Sequence, residues 1–148
     1  MRVVVVGGGD TAMDAARSAW RLGAGEVHIV YRRDRGQMPA IKEEIRGAED
    51  EGVRFHFLLN PVAVLGDRHV TGVRLQRQRL GDFDRSGRQR PEAIPGSEFD
   101  MPCDLLVPAI GQVTWVDDET LALYRRASFK VGKAFDLGVS ILVRGVEQ

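Results

Sequence analysis

Residues 2–6 are an arginine and four valines, and three glycines follow them, so the run is apolar without polar alternation. A short β-branched run of this kind predicts a strand buried on both faces, as in a parallel sheet. From residue 11 to residue 22 the period changes. Ala12, Ala15, Ala16, Ala19 and Trp20 recur at helical spacing, Asp14, Arg17 and Arg21 lie on the other side, and Gly23 and Gly25 end the run. That pattern predicts a helix over 11–22. Residues 26–31 predict a second strand, and a βαβ unit built this way requires a right-handed crossover and a parallel pair.

Pro39 stands ahead of a charged helix predicted over 40–51, at its first position, and Gly52 closes it. Residues 53–59 predict a third strand. The character then changes, because residues 61–65, 69–80 and the segment around Phe99 read as short strands with no helix between them. Such strands are antiparallel neighbours, here separated by Gly66-Asp67 and by a polar loop over 81–95. Residues 104–110 return to a buried apolar strand that ends at Gly111.

Composition narrows the function. In 148 residues, 21 Lys+Arg balance 21 Asp+Glu, so no global field draws nucleic acid or an anionic membrane, and anion binding must come from a local cluster. The single cysteine, Cys103, excludes an internal disulfide or an iron–sulfur cluster and suits a cytoplasmic protein. No apolar run is long enough to cross a membrane. Residues 74–90 hold six arginines, and Glu92, Glu98, Asp100 and Asp104 answer them, the pattern of a hairpin held in register by cross-strand charge. His28, His56 and His69 have no metal spacing and read as structural, and no metal site is expected.

Gly7-Gly8-Gly9-Asp10-Thr11-Ala12 fits G-x-G-x-x-A between a predicted strand and a predicted helix. Gly7 permits the tight turn, Gly9 lets the backbone approach a pyrophosphate, and Ala12 allows close helix–strand packing. The helix N-terminus then faces the phosphates with its free N–H groups. The fold class is therefore α/β: a Rossmann-like parallel sheet with a βαβ dinucleotide-binding unit and a small antiparallel β-meander. The end of the second strand decides the cofactor. An NAD site places a carboxylate there, whereas this chain has Tyr31-Arg32-Arg33-Asp34-Arg35, and guanidinium groups suit a 2′-phosphate. NADPH is expected, with Arg32, Arg33 and Arg35 around the phosphate.

Residues 3–17, Val-Tyr-Arg-Arg at 30–33, Met-Pro-Ala at 38–40, Asp-Arg-Ser-Gly-Arg at 84–88, Pro-Gly-Ser-Glu-Phe at 95–99 and Pro-Ala-Ile-Gly-Gln at 108–112 resemble the NADPH-binding domain of the glutamate synthase small (beta) chain family of FAD-dependent pyridine-nucleotide oxidoreductases. The resemblance implies hydride transfer from NADPH to FAD, then electron transfer through iron–sulfur clusters. It places Gly7, Gly8, Gly9, Asp10, Thr11 and Ala12 at the pyrophosphate, and Ala109, Ile110 and Gly111 toward the nicotinamide. Hydride transfer asks for aligned rings rather than an acid or base, so no catalytic residue is assigned.

The family's flavin motifs have no counterpart in this sequence. Residues 1–112 are thus expected to be an NADP(H)-binding Rossmann-like domain, and 113–148 a divergent remnant of the flanking FAD-domain segment. FAD is expected only in the complete protein, supplied by an FAD-binding segment or subunit, with a glutamate synthase large chain or an iron–sulfur protein as further partner. An exposed apolar face would also favour a homo-oligomer. A stand-alone dinucleotide-binding or sensor module without catalysis is the alternative. Neither nucleic acid nor membrane is an expected partner.

Overall fold

The computed structural model describes residues 1–111; the expected tail over 113–148 lies outside the described residues, as does Gln112. Strand β1 (Arg2–Val6) leads through the glycine turn into helix α1 (Asp10–Arg21) and strand β2 (Glu26–Tyr31). A 3-10 turn (Arg35–Gln37), helix α2 (Lys42–Asp50) and strand β3 (Arg54–Phe57) follow. Strands β4 (Leu59–Leu65), β5 (Gly72–Phe83), β6 (Gln89–Ala93) and β7 (Phe99–Pro102) come next, and β8 (Leu105–Pro108) closes the described chain. The parallel sheet has the order β3-β2-β1-β8, and β5 is the centre of the second, antiparallel sheet, pairing with β4, β6 and β7.

The valines of β1 are apolar on both faces because both faces are covered. Val3, Val5, Val27 and Ile29 pack against Ala12, Met13 and Ala16 of α1 and Ile45 and Ala48 of α2. Val4, Val6, Val30 and Leu106 face the other way, onto Leu59, Val73, Leu75 and Cys103. The parallel sheet is therefore the middle of three layers. Cys103 is fully buried in the second cluster, and burial pushes its thiol pKa up, which makes it a packing residue.

Two expected elements differ. Pro39 does not begin α2, since residues 39–41 stay outside the helix and Ile41 is its extended N-cap. The Ala40 N–H donates to the Gly8 carbonyl at 3.0 Å and the Ile41 N–H to Asp10 Oδ1 at 2.8 Å, which holds this stretch against the glycine turn. Residues 81–95 are not a continuous loop either, because β5 runs on to Phe83 and β6 lies within the segment. Pro91 is tolerated in β6 because that strand is paired only with β5 and forms an edge.

The expected charge register is present. Arg74 faces Asp100 across β5 and β7, with N–O distances of 2.7 and 3.0 Å, and Arg79 faces Glu92 across β5 and β6 at 3.0 Å. Leu58 carries the chain from one sheet to the other at φ +56°, a left-handed conformation unusual for a branched side chain. Its N–H donates to the Arg33 carbonyl, and its own carbonyl accepts from Gln78, so the crossover ties β2 to β5.

Candidate functional site

The C-terminal ends of β1, β2 and β8 open onto a cleft of about 730 Å³. This is where an open α/β sheet binds ligands, outside the carboxyl ends of its strands. One wall is the turn Gly7, Gly8 and Gly9 with Thr11 of α1, and the floor continues along Pro108, Ala109, Ile110 and Gly111. Arg32, Arg33 and Arg88 line it as well, together with Asn60, Ala63 and Val64 of β4.

The glycines do different work. Gly7 has φ +146°, and a Cβ there would stand 2.1 Å from the Ala109 carbonyl oxygen, so the close approach of β1 and β8 demands it. A Cβ on Gly8 would meet the Tyr31 ring at 2.6 Å, and that ring is fixed by its hydroxyl, which donates to the Gln37 carbonyl. A Cβ on Gly9 would meet only Pro39 at 3.9 Å. Among the described residues nothing requires glycine at position 9, yet it faces the cleft, as a backbone that something else approaches should.

Helix α1 begins directly after Gly9 and has no side-chain cap. The first N–H groups of a helix lack intrahelical partners and carry partial positive charge, so this end suits an anion. Asp10, the acidic group nearest to it, is exposed, and its carboxylate accepts the Ile41 N–H instead of capping its own helix. Asp10 lies outside the cleft lining, and so does Ala12, which is buried beneath the turn against the parallel sheet. Thr11 lines the cleft.

Of the three arginines expected together, the fold keeps Arg32 and Arg33 at the cleft and takes Arg35 away. Arg35 pairs with Glu49 of α2 and does not line the cleft. Arg33 lines it but is only 5% exposed, its Nε donating to the Gln89 carbonyl at 2.8 Å and its Nη2 to Asp84 at 3.3 Å. Arg32 is exposed at the cleft and forms no ion pair among the described residues. Sequence reasoning missed Arg88, which lies 56 residues beyond Arg32; the Asp-Arg-Ser-Gly-Arg turn that carries it was the available signal. At the far end Ile110 is 73% exposed and Val64 44%, an apolar rim beside Gly111.

Comparison with known proteins identifies the family and the fold. The family model for pyridine nucleotide-disulphide oxidoreductases matches residues 1–133. The chain belongs to that family. It is 56% identical over 111 residues to the NADP(+)-dependent formate dehydrogenase subunit beta of Moorella thermoacetica, covering 74% of this chain and 16% of that protein. It is 53% identical over 110 residues to the glutamate synthase [NADPH] small chain of Halomonas elongata, covering 74% of this chain and 23% of that one. The chain thus spans less than a quarter of these relatives. Among solved structures, Mycobacterium tuberculosis FprA in complex with NADPH has the same fold, with a TM-score of 0.68 and 21% identity over 79% of this chain and 40% of that one. This oxidoreductase domain is homologous to the glutamate synthase small chain, as its motifs imply.

The described residues also bound what else the site could hold. They contain no group of three or more His, Cys, Asp or Glu placed to bind a metal, and no helix long and apolar enough to cross a membrane. His28 and His56 pair with each other, Nδ1 to Nε2 at 2.9 Å, on β2 and β3 away from the cleft.

Proposed function

We propose that this domain binds NADPH and presents its nicotinamide to a flavin held by another segment of the same protein or by a partner subunit. The observation that carries this reading is the opening above Gly9: a glycine that the fold does not need, at the uncapped start of α1, facing a cleft of dinucleotide size. The N–H groups around Gly8, Gly9 and the first turn of α1 would hold the pyrophosphate, with the Thr11 hydroxyl beside them. Arg32 would meet the 2′-phosphate by charge-assisted hydrogen bonds. Ala109, Ile110 and Gly111 would border the nicotinamide.

When bound, NADPH supplies a hydride. The protein's part is to bind, orient and exclude water, which needs no side-chain acid or base. On this reading the glycine fingerprint at residues 7–12 would be taken by the dinucleotide, and FAD is assigned to another segment or subunit. The apolar rim at Ile110 and Val64 supports docking of that flavin-bearing surface. An iron–sulfur protein or a glutamate synthase large chain would be the onward partner, by analogy with the relatives.

Calorimetric titration of the full chain with NADPH and NADH tests the reading. Tighter binding of NADPH is expected, and equal affinity for both, or binding of neither, overturns it. Arg32→Ala should weaken NADPH at least tenfold and leave NADH nearly unchanged, because only NADPH carries the phosphate.

A further inference from the structure

Three arginines line the cleft, but their circumstances differ. Arg33 is buried and tied to the antiparallel sheet: it reaches across from the end of β2 to hold the Gln89 carbonyl through Nε and the Asp84 carboxylate through Nη2, both on the β5–β6 hairpin. Gln37 reinforces the same junction, its Oε1 accepting the Gln89 N–H at 2.9 Å and its Nε2 donating to Gln89 Oε1. These bonds commit Nε and one Nη2 donor of Arg33 to placing the hairpin.

The hairpin tip is built around Asp84. Its Oδ1 accepts from the Ser86 hydroxyl, from the Ser86 N–H at 2.8 Å and from the Arg88 N–H at 3.3 Å. The Asp84 N–H donates to the Arg88 carbonyl at 2.7 Å, and Gly87 turns the chain at φ +75°. Arg88 therefore leaves a turn whose backbone is fixed on both sides, and Arg33 anchors that turn to β2. Its side chain donates only to the Ser86 hydroxyl, at 3.2 Å, and forms no ion pair among the described residues. Arg32 and Arg88 are thus two cations on one cleft without carboxylate partners among the described residues, an arrangement suited to an anionic ligand.

We infer that Arg88 is the second cation of the 2′-phosphate pocket with Arg32, and that Arg33 is a positioning residue which delivers Arg88 by fixing the hairpin tip. The inference rests on the proposed NADPH site and adds to it a specificity determinant from the antiparallel sheet. Asp84 supports the arrangement: the Ser86 hydroxyl first, then the backbone N–H groups of Ser86 and Arg88 and the Arg33 charge, stabilise its carboxylate and lower its pKa to about 2.

The test is titration of the full chain and its Arg88→Ala variant with NADPH and NADH, and with 2′,5′-ADP and 5′-AMP as probes of the phosphate alone. Arg88→Ala should weaken NADPH and 2′,5′-ADP roughly 10- to 100-fold and change NADH and 5′-AMP less than about twofold. Unchanged preference for the phosphorylated ligands in Arg88→Ala overturns the inference while leaving the NADPH reading intact. Absence of that preference in the wild-type chain overturns the NADPH reading itself. The role of Arg33 is read from a double-mutant cycle. Acting through Arg88, Arg33→Ala should reduce the preference in the wild-type background but add nothing in Arg88→Ala. A further loss in the double variant would show that Arg33 touches the phosphate directly. Should Arg33→Ala fail to fold, Asp84→Asn, which loosens the same turn from the other side, takes its place in the cycle with the same expected outcomes.

Discussion

The parallel and antiparallel sheets share a core but are held by different physics. Every strand end that forms the glycine-rich side of the cleft comes from the parallel sheet, whose central strands are buried on both faces. The antiparallel sheet buries one face through Val73 and Leu75 and carries ion pairs such as Arg74–Asp100 and Arg79–Glu92 on exposed positions. The first sheet supplies what any dinucleotide needs, a tight turn and a helix N-terminus. The second, through the hairpin tip, brings Arg88, which would join Arg32 in distinguishing one dinucleotide from another. On the proposed reading, general binding sits on the parallel sheet alone, while selectivity is shared between Arg32 at the end of β2 and Arg88 of the hairpin.

The largest effect should come from Gly7, where fold and site coincide. Gly7→Ala would force a Cβ to 2.1 Å from the Ala109 carbonyl at a φ that disfavours L side chains, so a loss of about 3 kcal/mol or more is expected in denaturant unfolding. Gly9→Ala separates the two roles. It has open space and an extended φ of −95°, so the cost should be about 1 kcal/mol or less, while NADPH and NADH both bind more weakly. Unfolding at Gly9→Ala comparable to that at Gly7→Ala would mean that both glycines serve the fold.

Local pattern made the parallel half legible. Four valines ending in glycines, followed by alanines at helical spacing, state strand, turn and helix without reference to the rest of the chain. Strand β6 was hidden because Gln89–Ala93 is mostly exposed and contains a proline, so neither alternation nor apolar content marks it. The start of α2 was misplaced because Asp10, from another helix, holds Ile41 in an extended conformation. Arg33 is the instructive case in the site. Position at the end of β2 was readable, but its engagement by a carbonyl 56 residues away exists only once the hairpin folds over.

A smaller effect should appear with pH, and it belongs to the parallel sheet. Burial first, then the charges of His28 and Arg54, hold the pKa of His56 below its ordinary 6.5. The unfolded chain therefore takes up this proton before the folded domain does, so the full contribution is present above about pH 6.5 and is lost as pH falls toward the folded value. His56→Gln should flatten that part of the stability profile, measured by urea unfolding between pH 7 and pH 5. An unchanged slope would assign it to another group.

The smallest effect should come from the charges on the antiparallel sheet. Arg74 and Asp100 are about half exposed, so solvent screens their attraction and holding two mobile side chains in one geometry offsets much of it. A double-mutant cycle on this pair should give a coupling near the limit of detection at low salt, vanishing at 1 M salt, where the screening length is about 3 Å. Leu75→Ala, one position along the same strand but fully buried, should cost roughly 2–5 kcal/mol and keep that cost in salt. A salt-sensitive coupling as large as the Leu75 effect would mean that charge, rather than the apolar face shared with the parallel sheet, holds this layer in place. With the expected ranking instead, the cross-strand ion pairs set register, and the hairpin is free to carry Arg88 to the cleft without being the element on which stability depends.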